Sequence, residues 1–175
     1  GKTHVAVYCA LYDMFARVKQ RRVDRVILTR PIVEAGEKLG FLPGNIDEKV
    51  DPYMLPVYDC VSKMVHRPEE FIKQHIELAP LAFMRGRTFE NCVAILDEAQ
   101  NCTSTQLKLF MTRLGYGGKL IITGDIEQSD IGRRSGLRKI VEAMDGEDNI
   151  GIHRFAQEDI VRHPLVGKVL ARGLM

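Results

Sequence analysis

The sequence predicts an α/β fold, a three-layer sandwich in which helices cover both faces of a mostly parallel central sheet. Three observations support this prediction. Apolar runs of strand length alternate with helix-length segments along the chain, which is the order found in right-handed parallel sheets. The run from Cys92 to Leu96 is uninterrupted and ends in Asp97 and Glu98, as expected for a strand buried on both faces. A glycine-lysine-threonine triplet opens the chain.

The opening triplet Gly1-Lys2-Thr3 matches the last three positions of the phosphate loop G-x-x-x-x-G-K-[ST], whose backbone amides cradle phosphates. There Lys2 would reach the β and γ phosphates, and Thr3 would ligate Mg²⁺. The triplet alone arises by chance in roughly one chain in ten of this length. It gains weight from the order of the segments, because a nucleotide-hydrolysing P-loop core needs a helix next and an acidic strand end later. We therefore predict one P-loop NTPase domain over residues 1–175. We also expect this sequence to be a fragment, or only the ordered part, of a longer chain, with the front of the phosphate loop missing.

Asp97 and Glu98 follow their strand at the carboxyl edge of the predicted sheet, where open α/β sheets bind ligands. Asp97 is expected to help hold Mg²⁺ on the nucleotide, and Glu98 to orient and deprotonate the attacking water. The alternative is a core strand that runs into an acidic helix start, which the helix dipole favours in any case. The opening triplet favours the first interpretation.

The first predicted elements are a helix and a strand. Near-helical spacing of apolar residues from Thr3 to Gln20 predicts a helix that begins directly at the phosphate loop. Val23 to Thr29 follows as a strand, which Pro31 stops. Arg30 then stands at the carboxyl edge, either as a contact to phosphate or nucleic-acid backbone or as an ordinary surface arginine. The apolar set predicted to bury one broad face of the helix is Val5, Val7, Ala10, Leu11, Met14, Phe15 and Val18.

An irregular excursion from the core is predicted next. Glycine and proline are dense from Glu34 to Pro56, which breaks regular structure. Long ordered excursions in compact domains are usually functional. Leu55 to Arg67 is predicted as a helix, and Pro68 begins another short helix because proline is tolerated at a first helical position. With these helices the excursion extends to about residue 75.

The segment before the acidic strand carries two arginines. Ile76 to Phe83 is predicted as a strand, and Pro80 assigns it to an edge or a bulge. Arg85 and Arg87 flank a glycine directly after it, and such a pair makes a good anion contact. The alternative is a basic loop without a ligand. Because the segment leads into the strand of Asp97, we expect both arginines to bind the nucleotide.

A second polar strand end is predicted beyond the next helix. Thr103 to Leu114 is that helix, capped by Thr103 or Ser104. Lys119 to Thr123 is a strand, and polar residues including Gln128 follow it. Gln128 is in the position of a γ-phosphate sensor, whereas the alternative is an ordinary turn at Gly124 and Asp125.

The last third of the chain is predicted to close the domain. Ser135 to Met144 is expected to form a helix and Ile150 to Phe155 a final strand, followed by two helices from Glu158 to His163 and from Pro164 to Leu174. Arg162 is a candidate nucleotide contact beside His163. A histidine next to an arginine is more often structural or at the surface, and we interpret His163 in that way.

The composition is that of an ordinary soluble globular protein. Of the 175 residues, 45% are hydrophobic and 27% are charged. The net charge of +2 is too small to indicate a nucleic-acid partner by itself, although the basic residues can still be clustered. The four cysteines form no C-x-x-C pair, so we expect buried free thiols in a reducing cytoplasm. No apolar stretch is long enough to cross a membrane, and no signal peptide is visible.

Several long motifs are spread over almost the whole chain: Thr29-Arg30-Pro31, Gly36-Glu37-Lys38-Leu39-Gly40-Phe41-Leu42-Pro43-Gly44, Lys49-Val50-Asp51-Pro52-Tyr53, residues 79–88, Asp97-Glu98-Ala99-Gln100-Asn101, Thr123-Gly124-Asp125 and residues 161–165. Together they resemble the PhoH family, the phosphate-starvation-inducible P-loop ATPases. The resemblance implies a fold like the first RecA-like domain of superfamily 1 helicases, and ATP binding and hydrolysis. It implies nucleotide-binding roles for Lys2, Thr3, Asp97, Glu98 and Gln128. Two segments, 131–135 and 66–75, are shorter than the family pattern.

The expected activity is therefore that of an Mg²⁺-dependent ATPase in which ATP and Mg²⁺ are bound by the residues named above. A single core has no second domain to supply an arginine finger, which suggests a homo-oligomer such as a hexameric ring. The finger candidates are Arg85, Arg87, Arg133 and Arg162. Two other functions stay open: an RNA-stimulated motor or helicase, and a non-catalytic scaffold gated by nucleotide. The retained Glu98 argues against the scaffold, because a pure switch does not need a water-activating glutamate.

Overall fold

A parallel sheet lies at the centre of the computed structural model, which describes residues 1–15, 23–31, 58–156, 159 and 172. Within these residues the sheet has four strands in the order β2-β1-β3-β4, and every neighbouring pair is parallel. The strands are β1 (Arg25–Thr29), β2 (Ile76–Leu78), β3 (Cys92–Leu96) and β4 (Lys119–Ile122). Thr29 pairs with Leu96, and Leu96 pairs with Ile122. Three strands therefore end side by side at one carboxyl edge.

Four α-helices within the described residues surround the sheet: α1 (Lys2–Phe15), α2 (Pro68–His75), α3 (Ser104–Met111) and α4 (Leu137–Met144). Residues 58–62 are also helical. Local chemistry fixes two of the helix starts. Pro68 begins α2, with two glutamates in its first turn. Thr103 and Gln106 form a capping box at α3, in which each side chain bonds the other residue's backbone N–H.

Successive side chains of each strand point to opposite faces of the sheet, so the buried apolar residues form two cores, one on each face. The sheet and the helices over its two faces make the three layers. Val26 and Leu28 of β1 pack on one face with Val7 and Ala10 of α1. Ile27 points to the opposite face and joins the second core. That core also holds buried residues of β3, of α3 and of the segment before β3, among them Ala94, Leu96, Leu107, Phe110 and Phe89. The predicted α/β sandwich with a parallel sheet is confirmed.

Most predicted elements are found with shifted ends, and two strand predictions need correction. β2 stops at Leu78, and a 3₁₀ helix runs from Leu81 to Met84, because Pro80 lacks the N–H that would continue the ladder. Among the strands of the described residues β2 lies at an edge of the sheet, which agrees with the first of the two positions, edge or bulge, predicted from Pro80. Residues 150–155 form no strand. Ile150 and Phe155 are exposed there, so these apolar side chains cover no sheet face.

The first helix buries a narrower face than predicted. Val7, Ala10 and Leu11 are buried, whereas Val5 and Phe15 are exposed. The predicted continuation of this helix to Gln20 lies outside the described residues. So do the excursion from Glu34 to Pro56 and, apart from two isolated positions, the closing segment with Arg162.

The cysteines are free thiols, as predicted, and three of the four are buried. Burial raises the pKa values of Cys60 and Cys92 and that of Cys102 to about 12. Cys9 is exposed on α1. No helix among the described residues has both the length and the apolar character needed to cross a bilayer.

Candidate functional site at the carboxyl edge of the sheet

The start of α1 and the ends of β1, β3 and β4 meet at one edge of the sheet. Each strand end is fixed by a backbone bond to its neighbour: Asp97 N donates to Thr29 O at 3.0 Å, and Thr123 N donates to Leu96 O at 2.9 Å. Lys2 is the first residue of α1, and Thr3 follows it. The opening triplet and the acidic strand end therefore meet at the same edge, as the sequence predicted.

Asp97 is the centre of this arrangement. The residue is 2% exposed. The Thr3 hydroxyl lies 3.0 Å from Oδ1 and 2.9 Å from Oδ2, and the Thr123 hydroxyl donates to Oδ1 at 2.5 Å. Arg30 donates to Oδ2 from Nε at 2.9 Å and from Nη2 at 2.5 Å. A buried carboxylate is thus held by a cation and two hydroxyls, which offset the cost of removing its charge from water.

A second ion pair joins the start of α1 to the end of β4. Lys2 Nζ lies 3.0 Å from Asp125 Oδ2, and both side chains are partly exposed. The hydrogen bond from Lys2 is the largest cause that lowers the pKa of Asp125. Lys2 is therefore paired with Asp125 and located beside Thr3, at the helix end that attracts anions.

Glu98 occupies a strained backbone position directly after Asp97. Its φ of 57° and ψ of 38° are left-handed, a conformation that costs a non-glycine residue about 1 kcal/mol or more. The side chain is partly buried, and its Oε2 accepts a bond of 2.6 Å from Gln100 Nε2. Strain of this kind is concentrated at functional sites, which makes Glu98 a candidate for chemistry.

Gln100 connects Glu98 to the end of β4. It is 3% exposed, and its Oε1 accepts from the backbone N–H of Asp125 at 2.9 Å. Gly124 makes this contact possible, since a Cβ there would lie 3.0 Å from Gln100 Oε1 and 2.6 Å from Leu137 Cδ2. Gln100 therefore links the residues that follow β3 to the residues that follow β4.

The loop after β4 is attached to the 3₁₀ turn that follows Glu98. Asn101 and Asp130 bond each other twice at 2.8 Å, side chain to side chain and side chain to backbone. Ser129 Oγ donates to Gln100 O at 2.9 Å. Gln128 is exposed between these anchors, and its backbone N–H donates to Asp125 O at 3.1 Å. The loop and the turn line a cleft of about 440 Å³ whose walls are Glu98, Gln100, Asn101, Glu127, Gln128, Ser129 and Asp130.

The oxygen atoms at the site fit a magnesium–nucleotide complex better than a metal held by protein alone. The described residues contain no group of three or more His, Cys, Asp or Glu side chains that could hold a metal ion. Mg²⁺ often takes one carboxylate and completes its octahedron with water and substrate phosphates. Thr3 and Asp97 supply a hydroxyl and a carboxylate in contact with each other. These are the two ligands that the sequence assigned to the metal.

The predicted arginines are not gathered at this site. Arg87 forms a double ion pair with Glu77 at 2.5 and 2.8 Å, which lowers the pKa of Glu77 through the hydrogen bond from Arg87. Arg25 and Cys92, the first residues of β1 and β3, interact with this pair. Arg87 therefore lies toward the amino edge, as expected for a residue that precedes β3. Arg85 and Arg133 are exposed, and Arg162 lies outside the described residues.

Sequence reasoning missed three partners at the edge. The sequence leaves open whether Arg30 is a ligand contact or a surface arginine, whereas its side chain is 15% exposed and bonds Asp97. The pairing of Lys2 with Asp125 and the role of Gln100 as a bridge were not predicted either. Position in the sequence is the available signal, because Arg30 and Asp97 directly follow the ends of parallel strands and Asp125 comes three residues after the end of another.

Comparison with known proteins gives one consistent family. A family profile described as "PhoH-like protein" matches residues 1–172. A PhoH-like protein of Bacillus subtilis is 49% identical over 97% of this chain and 54% of its own length. A PhoH-like protein of Mycobacterium tuberculosis is 46% identical, and Protein PhoH of Escherichia coli is 48% identical, each over 97% of this chain and 49% of its own length. The chain thus spans about half the length of the curated relatives it matches.

Proposed function

This chain belongs to the PhoH-like family, and from that membership and the geometry of the sheet edge we propose that it is the core of an Mg²⁺-dependent ATPase. The observation that carries the proposal is the contact of the Thr3 hydroxyl with the Asp97 carboxylate at 2.9 Å. It joins a phosphate-loop threonine to the acidic strand end that P-loop hydrolases use to hold Mg²⁺.

The chain's own residues have distinct roles in this proposal. Lys2 binds the β and γ phosphates and neutralises the charge that develops between them. Thr3 and Asp97 would hold Mg²⁺, which would supply Lewis-acid stabilisation of the negative charge on the phosphates. Glu98 orients the attacking water and accepts its proton. Gln128, in the loop beside the cleft, contacts the γ phosphate.

Glu98→Gln in the full-length protein tests the proposal, because the amide keeps the size of the side chain and removes the base. ATP turnover is expected to fall about a hundredfold or more, while binding of a fluorescent ATP analogue persists. Glu90→Gln, at an exposed glutamate before β3, is the matched control. Turnover equal to that of the wild type in Glu98→Gln would contradict the proposed mechanism. Nucleotide binding without any wild-type turnover would instead support the scaffold.

A homo-oligomer and a response to RNA are further parts of the proposal. Arg85 and Arg133 are exposed, so they are available to a neighbouring subunit as arginine fingers. RNA should raise the ATPase rate, and the stimulation should decline with salt because phosphate contacts release counterions. Sedimentation with and without nucleotide measures assembly, and turnover with and without RNA at two salt concentrations measures coupling. A monomer under all conditions, or no stimulation at low salt, contradicts the respective part.

A further inference from the structure

The loop that carries Gln128 is attached to one short turn on both sides of that residue. Before Gln128, the backbone N–H of Asp125 donates to Gln100 Oε1 at 2.9 Å. Directly after Gln128, Ser129 Oγ donates to Gln100 O at 2.9 Å. Gln100 belongs to the 3₁₀ turn Ala99–Asn101, so this turn sets the path of the loop around Gln128.

Asn101 and Asp130 join the same turn and loop by two further hydrogen bonds, which we call the Asn101–Asp130 clamp. Asn101 Nδ2 donates to Asp130 Oδ2 at 2.8 Å, and Asn101 Oδ1 accepts from the backbone N–H of Asp130 at 2.8 Å. The partners fix which end of the amide is which, because only its NH₂ group can donate to a carboxylate. Asn101 is 9% exposed, whereas Asp130 is exposed. The clamp therefore fastens the outer loop to a buried group two positions after Gln128.

The turn also holds the residue that the proposed mechanism uses as its base. Glu98 directly precedes the turn, and its Oε2 accepts from Gln100 Nε2 at 2.6 Å. Glu98 and Gln128 both line the cleft described above. The two residues are thus attached, through hydrogen bonds, to the same three consecutive residues of the chain.

We propose that Asn101 is a positioning residue: by holding Asp130 it keeps Gln128 in place for the γ phosphate of a bound nucleoside triphosphate. This inference rests on the proposed function, in which Gln128 contacts that phosphate, and it adds a residue to which no role has been assigned. A loop that is fixed in advance loses less conformational freedom when one of its side chains takes up a ligand. A nucleoside diphosphate offers Gln128 no γ phosphate, so its affinity should not depend on the clamp.

An exchange of the two clamp residues in the full-length protein tests the proposal. Asn101→Asp replaces the donating amide by a carboxylate that repels Asp130. Affinity for a non-hydrolysable ATP analogue with Mg²⁺ is expected to fall about tenfold, while affinity for ADP stays within about twofold of the wild type. Adding Asp130→Asn reverses the pair, because the amide at position 130 then donates to the carboxylate at position 101 and the backbone N–H keeps its acceptor. The double variant should recover the wild-type affinity for the analogue to within about twofold.

The comparison with ADP separates positioning from general support of the fold. Equal losses of affinity for the analogue and for ADP in Asn101→Asp would overturn the proposal. Wild-type affinity for the analogue in Asn101→Asp, or no recovery in the double variant, would overturn it as well. Asn149→Asp is the matched control, since it adds the same charge at an exposed asparagine after α4, and it should leave both affinities unchanged.

A double-mutant cycle tests whether Asn101 acts through Gln128. Gln128→Ala should itself weaken binding of the analogue about tenfold. In that background Asn101→Asp should cause no further loss, because the contact that Asn101 positions is already gone. Losses that add in the combined variant would overturn the inference, as would wild-type affinity for the analogue in Gln128→Ala.

If Asn101→Asp does not fold, Asp130→Ala takes its place, since Asp130 is exposed and its truncation removes only the bond between the two side chains. Affinity for the analogue should then fall about threefold or more relative to that for ADP, and an unchanged ratio overturns the proposal. All of these are equilibrium binding measurements. A failure of this inference is therefore separate from a failure of Glu98→Gln to lose ATPase activity.

Discussion

Replacing Gln100 by leucine removes the link between the acidic strand end and the end of β4. Leucine keeps most of the buried volume but cannot bond Glu98 or the backbone of Asp125. The bond to a carboxylate contributes about 1.5–3 kcal/mol, and the neutral bond to Asp125 N about 1 kcal/mol. Because Gln100 is 3% exposed, water cannot easily replace either partner. We expect the free energy of unfolding to fall by about 2–4 kcal/mol.

The same change should lower turnover without weakening nucleotide binding. Gln100 positions Glu98 through the 2.6 Å bond, and it is assigned no contact with the nucleotide. A misplaced catalytic group costs about tenfold to a hundredfold in rate, so kcat should fall by that factor while KM changes little. Urea unfolding and steady-state ATPase assays of the full-length protein measure the two effects. Gln74→Leu is the control, since Gln74 is exposed on α2 and its bond to Glu70 is 3.5 Å long.

Two results would refute this reasoning. If Gln100→Leu unfolds at the same urea concentration as the wild type, the two buried hydrogen bonds contribute nothing net. If it is destabilised but keeps the wild-type kcat, Gln100 supports the loop without orienting Glu98. Gln74→Leu should change neither quantity.

Three further predictions follow from the described contacts. Thr103→Ala should lower the free energy of unfolding by about 1 kcal/mol in urea titrations through loss of the α3 cap, whereas Ser104→Ala should have little effect. Arg87→Met should cost about 0.5–1 kcal/mol at pH 7. The pKa of Glu77 is lowered in the folded state. The difference in unfolding free energy between the wild type and Arg87→Met should therefore shrink as the pH falls through the folded pKa, below the ordinary value of 4.5. A difference that stays constant down to about pH 3 would contradict this prediction. Iodoacetamide on the native protein should modify Cys9 and spare the three buried cysteines, as mass spectrometry can show.

The meeting of the opening triplet with Asp97 was predictable because it depends on topology. Parallel strands end at one edge whatever the connections contain, and a helix that follows a phosphate loop begins there. Residues 94 positions apart in sequence were therefore correctly brought together. The covered, all-parallel sheet was predictable for the same reason, because uninterrupted apolar runs require two covered faces.

The ion pairs at the edge were not predictable from the same pattern. Lys2 and Asp125 are separated by 123 positions, and Arg30 and Asp97 by 67. Which basic side chain pairs with which acidic side chain depends on how far each extends across the neighbouring strand ends. The periodicity of the sequence contains no information on that distance. The place of Arg87 has a simpler explanation. Nearness in sequence to β3 does not imply nearness to its carboxyl end, because a residue before a parallel strand lies at the amino edge.

The strand expected over Ile150–Phe155 shows another limit. A few apolar residues in a short segment are equally compatible with an extended segment on the surface, and only a neighbouring strand with free N–H and C=O groups converts such a segment into part of a sheet. Exposure of Ile150 and Phe155 shows that no such burial is gained.

The left-handed backbone at Glu98 brings thermal stability into conflict with the proposed catalytic role of this residue. Glycine and asparagine tolerate this conformation far better than glutamate does, so either replacement should relax the chain by about 1 kcal/mol while deleting the acid. A library screened for survival at high temperature alone should therefore enrich these two residues at position 98 and return stable proteins without the acid that the proposed mechanism needs. Raising the thermal stability of this domain while keeping Glu98 requires selection for both properties together.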